Sequence, residues 1–131
     1  ACMPHPKPTE SELAILGVLW EHGQATVRDV YDALYREDGG GYTTALKLLQ
    51  LMHAKGLVER DESQRAHSYR AVISKDSTQS RMLGELVQKL FDGSASALVM
   101  RALGTGTGPD AEELSAIRDM LDQLEKRRDV D

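Results

Sequence analysis

Four polar side chains follow a run of glycines at a spacing that suits contact with a nucleic acid. Thr43 and Thr44 come just after residues 39–42, Gly-Gly-Gly-Tyr, and Lys47 and Gln50 follow at intervals of three residues. On a helix, these intervals place the four side chains on one side. Hydroxyl groups and first-turn amides can hold a phosphate, lysine can reach guanine or phosphate, and glutamine can pair with adenine. The same pattern occurs on ordinary surface helices. The helix alone therefore does not distinguish a DNA-contacting helix from a capped surface helix.

A polar turn behind this helix carries further basic side chains. The alternation in residues 57–61 and 67–73 predicts two strands around a turn at 62–66. An exposed arginine at such a tip suits a minor groove or a flanking phosphate, although most turns of this kind are simply solvated. A hairpin directly after the helix makes DNA contact the favoured interpretation. The residues that we predict to contact DNA are Thr43, Thr44, Lys47, Gln50, Lys55, Arg65 and His67.

Local signals predict the elements that must position these residues. A capping box at residues 9–12, Thr-Glu-Ser-Glu, starts a first helix that ends at Gly23, and Thr26 starts a second. In the third helix, about 43–55, apolar residues recur at helical spacing and should face a core. Three helices followed by a hairpin form a winged helix-turn-helix, which we assign to residues 9–73. Residues 1–8 are proline-rich, and we expect them to be disordered.

Residues 74–131 are predicted to contain only helices. We expect them at about 75–91, at about 94–103 and from Asp110 onward, with a glycine-rich linker before the last. Three helices joined in this way cannot close a good core, so an identical subunit is the favoured partner for their apolar stripes; packing within one chain is the alternative. The predicted dimer-interface residues are Leu83, Leu86, Val87, Leu90, Leu98, Val99, Leu114, Ile117, Leu121 and Leu124. The fold class is therefore mainly α with a small β-hairpin wing and a C-terminal helical dimerisation region.

Composition excludes several classes of protein. The net charge is −5, but residues 42–73 carry five basic and three acidic side chains, whereas residues 74–131 carry eight and eleven. No apolar run could span a membrane, no signal peptide is visible, and Cys2 is the single cysteine, so we expect a cytoplasmic protein without membrane insertion. The histidines and carboxylates show no metal-ligand spacing and no catalytic arrangement. We therefore expect no cofactor, no metal and no enzymatic activity.

A second function class stays open at this stage. Leu46 and Leu51 lie on the helix that is predicted to contact DNA, and the whole chain is acidic. If both leucines were exposed, they would form an apolar patch that is typical of a protein–protein contact. The alternative hypothesis is thus a winged-helix protein–protein adaptor that no longer binds DNA.

The ordered set of motifs resembles the BlaI/MecI-type penicillinase repressors and their CopY relatives. The similar segments are residues 9–13 and 26–30 in the first two helices, residues 42–44 and 55–58 around the third, residues 65–70 in the wing and residues 92–99 beyond it. The resemblance implies a homodimeric repressor that binds an inverted-repeat operator in double-stranded DNA.

The resemblance also implies a way of releasing the DNA. In that family a membrane sensor protease, or a protease that it activates, cuts the repressor among its C-terminal helices. That position corresponds here to Arg101 and Ala102, which differ from the Asn-Phe pair of the staphylococcal members. The cysteine-rich tail of the copper-responsive members is absent from this sequence, and Leu51 stands where many relatives have arginine.

Overall fold

The computed structural model describes residues 6–130, and of residue 130 only the backbone. Residues 1–5 of the segment that we predict to be disordered lie outside the described part. The chain forms, in order, α1 Glu10–His22, β1 Ala25–Thr26, α2 Val27–Leu34, α3 Tyr42–Ala54, β2 Val58–Asp61, β3 Ser68–Ala71, α4 Lys75–Leu90, α5 Ala95–Gly104 and α6 Ala111–Val130.

Side-chain caps fix where the first two helices begin. The Thr9 hydroxyl accepts a hydrogen bond from the Glu12 amide at 3.2 Å, and the Glu12 carboxylate accepts one from the Thr9 amide at 2.9 Å. Thr26 and Asp29 form the same reciprocal pair at the start of α2. Gly23 ends α1 with a φ of 83°, a conformation that glycine adopts without strain. The predicted capping box at residues 9–12 and the predicted start of the second helix at Thr26 are therefore confirmed.

The three strands form one antiparallel sheet in the order β1-β3-β2. The predicted hairpin is present, and its register places Glu59 opposite Arg70 and Arg60 opposite Tyr69. Strand β1 was not predicted; it pairs Ala25 with Tyr69. Because β1 has only two residues, it shows no alternation in the sequence, and only its pairing with β3 defines it.

One hydrophobic core joins α1, α2, α3 and the sheet. Trp20 packs against the edge of this core, and its indole N–H donates a hydrogen bond to the Ile73 carbonyl at 3.0 Å. The buried members are Ile15, Leu16, Val18, Leu19, Ala25, Val27, Val30, Ala45, Leu49, Met52, Leu57, Val58 and Tyr69. These helices and this sheet form a winged helix, so the predicted fold class, mainly α with a small β wing, is confirmed.

The chain divides between Arg81 and Met82 into two compact units. In the second unit, the Ser94 hydroxyl caps α5, and Asp110 caps α6 by accepting a hydrogen bond from the Glu113 amide at 2.8 Å. Val87 is the one buried residue within the described range 82–129. No helix in the described part of the chain combines the length and apolar character needed to cross a membrane.

Candidate nucleic-acid interface

Helix α3 buries one side and exposes the other. Ala45, Leu49 and Met52 are fully buried in the core. Thr43, Thr44, Lys47 and Gln50 are all exposed on the opposite side, which we call the polar face of α3. The structure thus brings these four predicted site residues together on one helix face.

The start of α3 carries no side-chain cap. Gly41 occupies the N-cap position in an extended conformation, and no side chain accepts a hydrogen bond from the first turn. The other five helices in the described residues do have a side-chain acceptor at this position: Thr9, Thr26, Ser74, Ser94 and Asp110. The Thr44 amide donates to the Gly41 carbonyl at 3.1 Å. The amides before it and the positive end of the helix dipole favour an anion. This end of α3 can therefore accept a phosphate.

An aromatic contact fixes the start of α3 against α2. The ring of Tyr42, the first residue of α3, meets the ring of Tyr31 edge to face, with 5.9 Å between the centroids. The Arg28 guanidinium lies 6.0 Å from the centroid of the Tyr31 ring. Sequence analysis missed this cluster because its members come from two helices separated by the glycine-rich loop. These contacts hold α2 and the start of α3 together at the candidate interface.

An ion pair fixes the other end of α3 against α1. The Lys55 ammonium donates to the Glu12 carboxylate at 2.8 Å, and Glu12 is only 1% exposed. Burial would raise the pKa of Glu12, but hydrogen bonds from Lys55 and Thr9 and the charge of Lys55 together lower it. Lys55 was predicted to contact DNA, and its ammonium already has an acidic partner. Its first role in the structure is to hold α3 to α1.

The tip of the wing is exposed and polar. Residues 62–67, which join β2 to β3, are all exposed, and they include Arg65 and His67. Asp61 accepts a hydrogen bond from the Ser63 amide at 2.9 Å, and this bond lowers the pKa of Asp61. The tip is therefore shaped by a local side-chain turn, and Arg65 lies free to meet a phosphate or a groove.

Acidic side chains hold the two arginines of the wing strands. Arg60 hydrogen-bonds Tyr69 and pairs with Glu62 at 2.6 Å, and these contacts raise the pKa of Arg60. Arg70 pairs with Glu59, its cross-strand neighbour. Of the five basic residues in 42–73, Lys47 and Arg65 alone take part in no ion pair among the described residues. The interface therefore offers fewer free positive charges than its sequence suggests.

The residues that we predict to form a dimer interface differ in exposure. Val87 is buried, and Leu98, Leu114 and Ile117 are half-buried. The exposed members are Leu83, Leu86, Leu90, Val99, Leu121 and Leu124. Arg101 and Ala102 are exposed within α5. A protease needs an extended backbone, so cleavage between them would require this helix to open first.

A family model decides what kind of protein carries these features. The model described as "Penicillinase repressor" matches residues 8–123. The chain belongs to the penicillinase repressor family. The transcriptional regulator BlaI of Mycobacterium tuberculosis, recorded for two strains, is 32% identical over 116 residues, which cover 87% of this chain and 82% of that protein. The resemblance stated from the sequence is therefore confirmed.

Two solved structures are also similar in part. A MarR family protein from Bacillus stearothermophilus gives a TM-score of 0.47 at 21% identity, covering 92% of this repressor and 74% of that chain. BpsR of Bordetella bronchiseptica gives a TM-score of 0.46 at 17% identity, covering 94% and 83%.

Family membership separates the two function classes that the sequence left open. The chain is a DNA-binding transcriptional repressor and not an enzyme. The structure weakens the adaptor hypothesis as well, because Leu46 packs against the core and Leu51 alone of the two leucines is exposed. A single exposed leucine is no apolar patch.

Proposed function

We propose that this repressor acts as a homodimer on an inverted-repeat operator in double-stranded DNA. In this proposal residues 9–73 bind DNA and residues 74–131 hold the two subunits together. The observation that carries it is the polar face of α3, exposed beside an uncapped helix start.

The polar face of α3 supports contact in the major groove. A groove of B-DNA admits one helix, whose early residues meet base edges and phosphates. Thr43 and Thr44 lie in the first turn and suit a phosphate, whereas Lys47 and Gln50 lie further along the helix and suit base edges. Arg65 and His67 at the wing tip would contact the flanking backbone or minor groove. Two such subunits would place their half-sites about one helical turn apart, roughly 10 bp.

The second unit supports the dimer. Six predicted interface side chains are exposed, and no residue of α5 is buried. Apolar stripes on helices are stable when a partner covers them, and two-fold pairing lets the same surface serve both subunits. Linking two DNA-binding units also turns the second contact into an intramolecular step, which raises affinity by about 10²–10⁴-fold.

The affinity gained by linking two DNA-binding units also supports a way of relieving repression. Cutting the chain between Arg101 and Ala102 would detach α6 and part of the proposed dimer surface without altering the DNA-contacting residues. The cleaving partner in this proposal is a membrane sensor protease, or a protease that it activates, and the repressor itself acts in the cytoplasm. Each separated subunit would keep its polar face and lose the advantage of the paired sites.

A binding assay tests the proposed interface. The probe is a duplex selected by the full-length repressor from a randomised pool, measured by gel shift. Lys47→Ala should weaken binding about tenfold or more, because a base or phosphate contact is lost in each half-site. Arg65→Ala should weaken the selected and random duplexes equally, because a phosphate contact carries no sequence information. Lys126→Ala, which removes a lysine from α6, is the matched control and should bind as the parent protein does.

Salt dependence provides the test against the adaptor hypothesis. If Lys47 and Arg65, the two basic side chains of residues 42–73 outside the described ion pairs, each neutralise one phosphate, a dimer neutralises about four. Log K should then fall with log salt at a slope of about −3.6. Little binding to any duplex at any salt concentration would overturn the proposal and favour the adaptor. A Lys47→Ala variant that binds like the parent protein would show that the assignment of α3 to the groove is wrong.

A further inference from the structure

One apolar side chain interrupts the DNA-contacting surface. Leu51 is 47% exposed, while Leu48 and Leu49 on the same helix lie against or within the core. It follows Lys47 by one helical turn and adjoins Gln50, so it belongs to the same exposed side of α3. Single exposed leucines are common on protein surfaces, but this one lies among the side chains that we propose to enter the groove. It is therefore available to an apolar group of the DNA.

The major groove of DNA presents one apolar group. Among the four bases, thymine alone carries a methyl group at C5, whereas guanine, cytosine and adenine present hydrogen-bond donors or acceptors along this edge. A leucine packed against those polar edges would remove water from them and return no hydrogen bond. Packed against a thymine methyl, it buries apolar surface on both sides. The chemistry of the side chain therefore favours thymine.

We infer that Leu51 is a specificity-determining residue that contacts the C5 methyl group of a thymine in each half-site. This inference rests on the proposed function, since it needs α3 in the major groove. The rise of a helix places Leu51 about 6 Å beyond Lys47. The thymine should accordingly lie within about two base pairs of the pair that Lys47 contacts, given a step of about 3.4 Å.

Replacing thymine by deoxyuridine tests the inference, because this change removes the methyl group and leaves every hydrogen-bonding group in place. The probe is the duplex that the full-length repressor selects from a randomised pool, made with deoxyuridine at one symmetric thymine position at a time. At one such position the parent protein should lose about fourfold in affinity for each methyl group, and so about fifteenfold for the two half-sites. Leu51→Ala should bind the thymine and deoxyuridine duplexes equally.

Two further measurements keep the test specific. Lys47→Ala should weaken binding to both duplexes and preserve the ratio between them, because it leaves Leu51 in place. Cytosine at the same position should bind poorly, and 5-methylcytosine should recover part of the affinity, since it returns a methyl group to the same edge. Circular dichroism should show Leu51→Ala folded, because the side chain is half exposed.

The possible outcomes separate this inference from the proposed function. A parent protein that binds its selected duplex but ignores every deoxyuridine substitution overturns the role of Leu51 and leaves the proposed function intact. Equal sensitivity in the parent protein and in Leu51→Ala also overturns it, because another residue then contacts the methyl group. A selected duplex without thymine close to the base pair that Lys47 contacts also overturns the role of Leu51. Failure to select any duplex overturns the proposed function itself.

Discussion

The two units of the chain differ in how much of their apolar surface they bury. The first encloses a core in which Ile15, Leu49 and Met52 are completely buried. The second buries only Val87 within residues 82–129 and leaves several large apolar side chains exposed. The first unit thus has a core of its own, whereas the second exposes the apolar surface that we propose to be covered by a second subunit. If the proposed dimer forms, the repressor can lose DNA by losing its partner, with the polar face of α3 unchanged.

The largest effect should come from charge placed on the exposed stripe of α6. The double variant Leu121→Asp, Leu124→Asp puts two carboxylates on a surface that we propose to be buried between subunits, where unpaired charge is strongly unfavourable. The solution mass should fall to that of one chain at micromolar concentration. Affinity for the selected duplex should fall about 100-fold or more, because the two half-sites are no longer linked. Light scattering and gel shift measure the two effects.

Gln123→Asp is the matched control for that variant. It adds one carboxylate to a position of α6 outside the apolar stripe, so the mass and affinity should stay as in the parent protein. A parent protein that is already a single chain at micromolar concentration would contradict the proposal that a second subunit covers the exposed surface of the second unit. So would a double variant that remains a dimer.

The next largest effect should be a loss of stability in the first unit. Glu12→Gln removes the charge that pairs with Lys55 and should lower the free energy of unfolding by about 2 kcal/mol at neutral pH. Glu21→Gln, an exposed change on the same helix, should alter it by less than about 0.5 kcal/mol. Chemical denaturation followed by circular dichroism measures both. A Glu12→Gln variant as stable as the parent protein would show that the ion pair does not hold α3 to α1.

The stabilisation by Glu12 should also depend on pH. Its folded-state pKa lies below the ordinary value of 4.5, so the folded chain binds this proton less readily than the unfolded chain does. The contribution is therefore fully present above pH 4.5 and is lost as the pH falls through the lower folded value. The difference in stability between the parent protein and Glu12→Gln should shrink over that interval. A difference that stays constant down to pH 2 would contradict the assignment.

Local signals made much of the first unit predictable. Capping boxes are encoded within four residues, so the starts of α1 and α2 follow from Thr9 and Thr26 alone. Helical spacing identified the buried side of α3 because Ala45, Leu49 and Met52 recur at the period of a helix. The exposed polar side then follows without knowledge of any tertiary contact.

Long-range contacts made the rest unpredictable. Glu12 and Lys55 are 43 residues apart. Local patterns account for Glu12 as a helix cap and predict that Lys55 contacts DNA, so nothing in the sequence pairs the two side chains. Arg70 looked free because its acidic partner, Glu59, lies on the other strand and is set by the register of β2 against β3. Charge counted along a sequence overestimates the charge that an interface can use.

Gly41→Asp should raise the stability of the first unit and lower its affinity for DNA. The backbone at Gly41 is extended, and a Cβ there would meet only the Thr43 amide nitrogen at 3.8 Å and the Thr44 hydroxyl at 4.0 Å, so a side chain fits. Aspartate would cap α3 and stabilise the protein by a few tenths of a kcal/mol, about the difference between glycine and a good N-cap. Its charge would also repel the phosphate that we place at this helix start, and affinity should fall about tenfold.

Gly41→Asn distinguishes the two consequences, because asparagine caps the helix without adding charge. Thermal unfolding and gel shift should show both variants at least as stable as the parent protein, with the aspartate variant the weaker in binding. Equal and unchanged binding by both would mean that no phosphate approaches the start of α3.

The smallest effect should come from freeing a wing arginine. Glu59→Gln leaves Arg70 without its partner, and because both side chains are mostly exposed the pair contributes little to stability. If the outer face of the wing lies near the backbone of DNA, each subunit gains about one phosphate contact. The slope of log K against log salt should then steepen by about 1.8 for the dimer. The selected and random duplexes should gain affinity by the same factor, because the new contact carries no sequence information. Asp122→Asn makes the same change in net charge on α6 and should leave the slope as it was; if both variants steepen it equally, net charge rather than the Glu59–Arg70 pair limits how tightly the first unit holds DNA.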